Sequence, residues 1–370
     1  MKLGLGAAGW LAAVGVVVGW AALTVGGPLT PPAGPVTGSM RTLAEVEPRT
    51  PLSAATTPGT GSNVFVITQP GSYYLTGNVQ TSANRNGISV NADNVTIDLN
   101  GFAIDGTADT TGFRSGITNS APRRNLTVRN GTIRNMRGYG VLGTFNSSCF
   151  EDMAFIDNLS GQLEIAPSSN CTVRNVRLRT PSGETGIQLG ENSVVEHCTV
   201  EGGTVAILVL SGVVRGCSVV NPGAIGISLG AGEVVDCYVE GANNTSSGSY
   251  AGISVGSGSL VRGCSVKSCA SQGVYLSGRG TVRECTFFNC AKGVTVPLAG
   301  RGVIEACQFG QTPVGVLLQG PGSMVVGNRF GASATPISAV AGNTVGEVID
   351  TTAGATLTAA NSHVMANVVH

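Results

Sequence analysis

The segment from Gly186 to Phe330 repeats one short sequence pattern seven times with small variations. Each copy opens with a small residue and an apolar-x-apolar triplet, passes through a polar turn and ends with Val/Ile-x-x-Cys-x-Val/Phe or a close variant. A repeat of this length predicts a solenoid, because one unit is too short to bury its apolar face alone and must stack on its neighbours. The small residue recurs at intervals of 20, 20, 26, 21, 20 and 22, at Gly186, Ala206, Gly226, Gly252, Gly273, Gly293 and Gly315.

The alternation of apolar and polar residues within each copy predicts short β-strands. Ile253 and Val255 face one side of a first strand, and Val195, Cys198 and Val200 are the inward residues of a second strand. Two residues rather than one separate Val195 from Cys198, so we expect a tight corner there. Parallel strands of successive coils stack about 4.8 Å apart, which places equivalent inward residues in ladders. One ladder consists of Cys198, Cys217, Cys237, Cys264, Cys285, Cys307 and Asn328.

The two strand motifs, G-[IV]-x-[LV] and V-x-x-[C/N]-x-[V/F], resemble those of bacterial secreted right-handed parallel β-helix repeat proteins, a group that includes the pectate-lyase-like enzymes. The resemblance covers Gly87 to about Ala341. The stretches TLAEVEPRTPL, ITQPGSYYLTGN and VTIDLNGFAI also resemble the opening segment of one subgroup of these proteins. The resemblance implies an all-β fold, a single-stranded right-handed parallel β-helix of about 12 coils with N- and C-terminal caps.

The composition of the chain divides it into five segments. Residues 1–27 are almost wholly apolar with one charge, Lys2, and predict a secretory signal peptide or a retained membrane anchor. Residues 28–40 form a Pro/Gly linker, 41–86 the N-terminal cap, 87–341 the β-helix and 342–370 the C-terminal cap. The coils before the regular repeat are predicted to begin at Gly87, Gly116, Gly140 and Gly161. We therefore expect an exported protein, extracellular or in the cell envelope, that contacts a membrane only if the leader is retained.

The charge of the chain argues against a nucleic-acid partner. Lys plus Arg and Asp plus Glu both number 21, which gives a formal net charge of +0, and no basic tract is present. Charged residues stack in the second strand of each coil, where opposite signs in neighbouring coils would set the register. The outward positions in this predicted ladder are Arg129, Glu151, Arg174, Glu196, Arg215, Val235, Arg262, Arg283 and Glu305.

The length of the connections indicates a candidate binding face. The connections from Ile104 to Gly116 and from Val239 to Gly252, 12 and 13 positions long, leave the coil at the same corner and could wall a shallow cleft. Surface loops without function would give the same pattern. Guanidinium groups near this cleft could bind the carboxylates of an acidic glycan in a bidentate manner. The candidate ligand-binding residues are Arg114, Arg134, Arg137, Arg177, Arg179, Tyr238 and Tyr250.

The sequence contains no recognisable catalytic motif. The resemblance implies that a lyase would need Ca²⁺-binding acids, for which Asp105, Asp109, Asp152 and Asp157 are scattered candidates, and a hydrolase would need motifs that are missing. We assign no catalytic residue, no metal site and no cofactor, with Ca²⁺ required only if the chain is a lyase. Two functions stay open. One is a non-catalytic surface or polysaccharide-binding solenoid, and the other is a polysaccharide lyase or another carbohydrate-active enzyme of the pectate-lyase-like fold.

The ten cysteines also allow two interpretations. Ladder thiols can serve as small apolar core residues, whereas export permits disulfides. The pairs one coil apart that best fit a disulfide are Cys269 with Cys290 and Cys149 with Cys171, because stacked Cα atoms lie within disulfide range.

Overall fold

The computed structural model describes residues 47–81, 84–107, 112–242, 250–350 and 365–370. Contacts within the chain divide it into two units, Met1–Pro48 and Arg49–His370. The predicted leader at 1–27 and the predicted linker at 28–40 lie outside the described residues. Within the described part of the chain, no helix is long and apolar enough to cross a membrane.

Nearly all described strands of the second unit belong to one parallel sheet wound into three faces, which makes about 13 turns, close to the predicted 12. Face A contains the strands of the G-[IV]-x-[LV] motif, which stack in parallel register from coil to coil. Its strands are Asn63–Ile67, Asn86–Val90, Ile117–Thr118, Val141–Leu142, Leu163–Glu164, Thr185–Leu189, Val205–Arg215, Ile225–Val235, Ala251–Val255, Gln272–Leu276, Lys292–Val296, Val314–Leu318 and Thr335–Ala339.

Face B follows face A in each coil, and the strands Val205–Arg215 and Ile225–Val235 continue from A into B. A short separate sheet pairs Arg123–Arg124 with Phe145–Asn146. The other strands of face B are Thr50–Pro51, Gly71–Tyr74, Val95–Asp98, Leu126–Arg134, Cys149–Ile156, Thr172–Arg174, Ser193–Glu196, Ser259–Arg262, Arg279–Arg283, Arg301–Glu305, Met324–Val326 and Thr344–Val345.

Face C completes the coil, and the strands Leu126–Arg134 and Cys149–Ile156 continue from B into C. At its end Val348–Asp350 pairs with the last strand. The other strands of face C are Val79–Gln80, Ala103–Asp105, Arg177–Thr180, Thr199–Gly202, Ser218–Val220, Tyr238–Glu240, Ser265–Lys267, Thr286–Phe288, Gln308–Gly310, Arg329–Gly331 and Asn367–Val369.

The ladders confirm the predicted register and extend it at both ends. Val261 lies between Val234 and Val282 in a fully buried stack, as the alternation predicts. Asn63–Ile67 already pairs with Asn86–Val90, and Asn367–Val369 pairs with Arg329–Gly331. Parallel pairing therefore begins before residue 87 and continues beyond residue 341, so the predicted cap segments contribute strands to the end turns.

One predicted frame residue is wrong by one position. Leu163 pairs with Ile187 and with Val141, so Gln162 and not Gly161 occupies the frame site of that coil. Gln162 is buried and tolerated there because its side-chain amide exchanges hydrogen bonds with the neighbouring Asn158.

The frame site is small because the next coil passes directly over it. A Cβ atom added to Gly293 would lie 2.5 Å from the carbonyl oxygen of Gly315 and 2.4 Å from the Phe309 ring. Real Cβ atoms do not make such short contacts, so glycine permits the close stacking of coils.

The corner between faces B and C is made by one residue in the left-handed conformation. His197 has φ 53° between Val195 and Cys198, and Asn130, Asp152 and Asn175 have φ 64°, 54° and 53° at the equivalent positions. Asn and Asp tolerate this conformation better than most residues. Asp152, a candidate acid in the sequence, therefore has a structural reason to occupy its position.

The cysteine ladder is buried, as the inward register predicts, and all ten cysteines are free thiols. The Cys217 sulfur lies 3.4 and 3.7 Å from the carbonyl oxygens of Arg215 and Val195. A hydrogen bond to the Cys198 sulfur, together with burial, raises the pKa of Cys217 to about 12. The ladder ends at Asn328, whose side-chain oxygen accepts the Cys307 amide at 2.9 Å.

The predicted disulfide candidates are not bonded. Cys149 pairs with Thr172 rather than with Cys171 in the ladder and lies on the outward side, whereas Cys171 is buried. The Cys269 and Cys290 side chains are both buried, and their hydrogen bond raises the pKa of Cys269.

Thiol labelling should follow this burial. We expect Cys217, Cys237 and Cys264 to react slowly with a maleimide in the folded protein and rapidly in denaturant, because each is buried and its pKa is raised to about 12. Cys149 serves as the internal comparison because it is only partly buried, although burial raises its pKa to about 11 as well. Tandem mass spectrometry of tryptic peptides measures each site, since Cys217 and Cys237 lie on one peptide. Rapid labelling of the ladder in native protein would contradict the inward assignment.

Candidate functional site: a cationic groove on face B

The outward charges of face B neutralise one another in the early coils. The Arg129 Nε atom lies 3.4 Å from the Asp98 carboxylate, and Arg174 binds Glu151 in the next pair of coils. Glu196 accepts two hydrogen bonds from the guanidinium of Arg215. The predicted charge ladder is therefore confirmed in these coils, where its alternating signs support the register.

The later coils of face B place charges of the same sign together. Arg262 pairs with Arg283 across one strand spacing, and Arg279 pairs with Arg301 in a parallel outward column. Glu305 follows Arg283 in the next coil but does not form an ion pair with it. Among the described residues, no carboxylate forms an ion pair with any of these four arginines. Stacked like charges are destabilising on their own, so a bound anion would relieve this repulsion.

Three of these arginines, Arg279, Arg283 and Arg301, border a groove of about 860 Å³. Arg279 and Arg301 lie along one side, and Arg283 and Glu305 lie along the other. Between the two sides runs an outward column that links successive coils and is largely apolar: Leu260, Thr281, Val303, Met324 and Thr344. The groove therefore combines an apolar floor with cationic sides and crosses several coils along the axis of the stack.

One buried polar atom beside the groove has no partner among the described residues. The Nε–H group of Arg283 is buried without a hydrogen bond to a described residue, whereas the Ser259 hydroxyl, also without one, lies on the inward side of its strand with Val261. Buried polar groups normally find a partner, so their exceptions call for an explanation such as a bound molecule. The aliphatic part of Arg301 extends along Gly322, within 3.6 Å of the position that a Cβ atom would take there.

The sequence reasoning missed Arg279 and Arg301. Both stand before a glycine at the start of a face B strand, 22 positions apart in GRGTVREC and GRGVIEAC. The repeat of this Arg-Gly pair at one coil interval was a usable signal, because it puts two guanidinium groups in neighbouring rungs.

Four of the predicted ligand-binding residues lie on the outer side of face C. Arg134 donates from Nε to Asp105 at 2.8 Å, and Arg179 donates from Nε to Asp157 at 2.8 Å. The Tyr238 hydroxyl donates to Glu240, and Arg177 is exposed. Two of these cations are thus already paired with carboxylates of the chain.

The other predicted ligand-binding residues lie at the corner between faces C and A. Arg137 and Tyr250 are exposed, and Arg114 has a buried Nε–H group with no described partner. The long connections that would wall the predicted cleft include residues 108–111 and 243–249, which lie outside the described residues.

The candidate acids that the structure describes, Asp105, Asp152 and Asp157, each have a separate place in the fold. Burial alone would raise the pKa of Asp105, but hydrogen bonds from Thr107, Arg134 and Asn135 outweigh it and lower the pKa to about 2. Asp152 forms a corner and Asp157 binds Arg179, whereas Asp109 lies outside the described residues. The described part of the chain contains no group of three or more His, Cys, Asp or Glu residues placed to hold a metal ion.

The sequence matches the family model described as right handed beta helix region, over residues 115–259 and again over 211–368. The chain belongs to the right-handed β-helix family. The two matches together cover more than half of the chain, and the three-faced parallel solenoid confirms the predicted fold class.

The solved structures that this β-helix resembles are distant from it in sequence. A mutant tailspike protein of E. coli bacteriophage HK620 in complex with hexasaccharide shares 14% identity at a TM-score of 0.46, over 82% of this chain and 70% of the tailspike chain. The A-module of the Azotobacter vinelandii mannuronan C-5 epimerase AlgE4 shares 14% at 0.44, over 80% and 89%. The catalytic unit of a GH87 alpha-1,3-glucanase from Streptomyces thermodiastaticus shares 13% at 0.39, over 80% and 62%. No curated protein sequence matches the chain.

One carboxyl group on face A of this β-helix has an unusual environment. Glu164 lies half-buried on the outward side between Leu142 and Gln188, neither of which carries a charge. Burial raises the pKa of Glu164 to about 7. The pKa of the nearby Tyr139 is also raised, by burial and by the charges of Glu164 and Glu184.

This carboxyl group should make stability depend on pH near neutrality. Glu164 keeps its proton to about pH 7 in the folded state, whereas its ordinary pKa is 4.5. Its stabilising effect is therefore complete below pH 4.5 and is lost as the pH rises towards 7. The full shift would correspond to a loss of roughly 3 kcal/mol across that range, but solvent screens this half-buried group, so we expect Glu164→Gln to abolish a smaller loss, on the order of 1 to 2 kcal/mol. Urea melts at pH 4.5 and 7.5 measure this effect, and equal pH dependence of wild type and variant would refute it.

Proposed function

We propose that this protein binds an acidic polysaccharide in the groove of face B and does not turn it over. The observation that carries the proposal is the stacking of Arg279 on Arg301 and of Arg262 on Arg283, none of which forms an ion pair with a described carboxylate, although Arg283 also lies in register with Glu305. On the same face, all arginines of the early ladder form ion pairs with an acid. This contrast supports a role for the later arginines in binding a ligand rather than in stabilising the fold.

The shape and chemistry of the groove favour a chain of uronic acids. Guanidinium groups bind carboxylates through two parallel hydrogen bonds, which gives both affinity and orientation. The apolar column of Leu260, Val303 and Met324 offers a surface for the C–H faces of sugar rings. A groove that crosses several coils suits a linear polymer better than a small anion.

The acidic residues of the groove favour binding over catalysis. Glu305 is the single carboxylate among the described residues that line it. Glycoside hydrolysis generally uses a pair of carboxyl groups on either side of the bond that breaks. In this proposal the protein is exported and meets its polysaccharide outside the cell or in the cell envelope.

Affinity electrophoresis in gels containing polygalacturonate tests this function. We expect the unmodified protein to be retarded, and retardation to weaken as salt is added, because exposed charges are screened. Arg279→Gln combined with Arg301→Gln should weaken binding by at least about 30-fold, since each removes charge-assisted hydrogen bonds.

The matched control combines Arg174→Gln with Arg215→Gln. These two arginines lie on the same face but already bind Glu151 and Glu196. The control should bind polygalacturonate nearly as well as wild type. Equal loss in both double variants would show a non-specific charge effect, and an unsaturated product absorbing in the ultraviolet would show turnover; either result contradicts the proposal.

A further inference from the structure

Face C ends in a second, smaller depression that the cationic groove does not include. Its volume is about 300 Å³. The floor is an outward column in which Phe288 is followed by Gly310 and Gly331 in the next two coils. In the earlier coils the same column carries charged or aliphatic residues such as Arg179 and Val220.

The ring of Phe288 lies beside Gly310 of the next coil. Phe288 is 42% exposed, and a Cβ atom added to Gly310 would lie 3.1 Å from the ring. A larger residue at 310 would therefore displace the ring. Beneath this column the rings of Phe287 and Phe309 stack at 5.0 Å, and the stack continues to Phe330 at 4.8 Å, which gives the floor a rigid support.

Hydrogen-bonding groups border one side of the ring. Thr286, Gln308 and Arg329 form the other outward column of the same three strands, and all three are exposed. The His370 imidazole approaches Gly331 from the far end, with Nε2 3.7 Å from the position of an added Cβ atom.

We infer that this depression is a sugar-binding subsite, in which the Phe288 ring stacks on the C–H face of a pyranose and the neighbouring side chains bind its hydroxyl groups. A flat aromatic surface beside convergent polar groups is the usual composition of a small polar-ligand site. Only one exposed aromatic side chain is involved, bordered by glycine and polar residues, so the surface does not offer the contiguous apolar patch that a protein partner would cover.

The choice of ligand rests on the proposed function, since the glycan that reaches this subsite is the polyuronate of the groove on face B. The groove and the subsite share coils: Arg283 and Thr286 are separated only by the corner residues Glu284 and Cys285. Stacking of a sugar ring on Phe288 does not depend on charge. Added salt should therefore weaken binding at the groove on face B more than binding at this subsite.

The test compares Phe288→Ala with Phe288→Tyr on polygalacturonate gels at low and high salt. We expect Phe288→Ala to weaken binding by about 10-fold at both salt concentrations, and Phe288→Tyr to bind like wild type because it keeps the ring. Circular dichroism melts check that both variants fold, which is expected because the side chain is largely outside the core.

The outcomes separate the two proposals. Unchanged binding by Phe288→Ala, with binding lost in the Arg279 and Arg301 double variant, would overturn the subsite and leave the groove. Loss with Phe288→Ala but not with the arginine variant would support the subsite and overturn the groove. Wild-type protein that shows no retardation by polygalacturonate at low salt would overturn both.

Discussion

Val261→Asp should unfold the later coils and leave little soluble protein. Val261 is fully buried between Val234 and Val282, so a carboxylate there would have neither water nor a cation. Burying an unpaired ionisable group costs several kcal/mol, and the loss of valine packing adds to it, so we expect a destabilisation above about 4 kcal/mol.

The adjacent outward residue provides the control. Arg262→Ala removes a half-exposed side chain that forms no ion pair with a described carboxylate and stacks on another arginine. It should change the free energy of unfolding by less than about 1 kcal/mol. Guanidinium melts followed by circular dichroism compare the two variants. Similar midpoints would place the register one residue away from the one described.

Gly293→Val should be the second strongly destabilising change. The added Cβ atom would lie 2.4 Å from the Phe309 ring and 2.5 Å from the carbonyl oxygen of Gly315, and the carbonyl belongs to a backbone that cannot move without separating two coils. Overpacking against a backbone atom should cost about 3 kcal/mol or more.

Gly61→Val is the matched substitution. An added Cβ atom at Gly61 meets no atom within 4 Å, and the residue is exposed. Its melting temperature should differ little from that of wild type, whereas Gly293→Val should melt at a much lower temperature. If both variants melt alike, the frame glycines do not control the distance between coils.

The sequence predicted the repeating part of this molecule well because the same physical constraint acts in every coil. Inward valines and cysteines must alternate with polar residues to fill one core, so Val261 and Cys264 could be assigned from periodicity alone. The frame glycines could also be located, because a 20-residue spacing survives several changes of neighbouring residues.

The residues at the corners were harder to predict because a corner requires only a left-handed backbone conformation, which many residue types adopt. The left-handed position between faces B and C is filled by Asn130, Asp152, His197, Glu284 and Ala306 in different coils. No single residue type marks the position, so a candidate acid such as Asp152 could not be separated from a corner residue. Its place in the fold became evident only from its backbone angle.

The candidate site was harder still because it depends on which charges lack partners. Arg134 and Arg179 looked available in the sequence, but Asp105 and Asp157 lie next to them in the folded chain. Arg279 and Arg301 looked ordinary when taken one at a time, and the register confirms what their repeat at one coil interval could have indicated, that they stack on each other. Pairing between coils about 20 residues apart decides this difference, and local sequence does not contain it.

Arginine footprinting with bound ligand directly tests whether the polysaccharide binds in the groove of face B. Phenylglyoxal modifies accessible guanidinium groups, and mass spectrometry reports the extent of modification at each arginine with and without polygalacturonate. We expect the ligand to protect Arg279, Arg283 and Arg301 from modification, while the modification of Arg174 and Arg215 is unchanged. Protection of Arg134, Arg137 and Arg177 instead, with Arg279 and Arg301 modified at the same rate as in free protein, would contradict it.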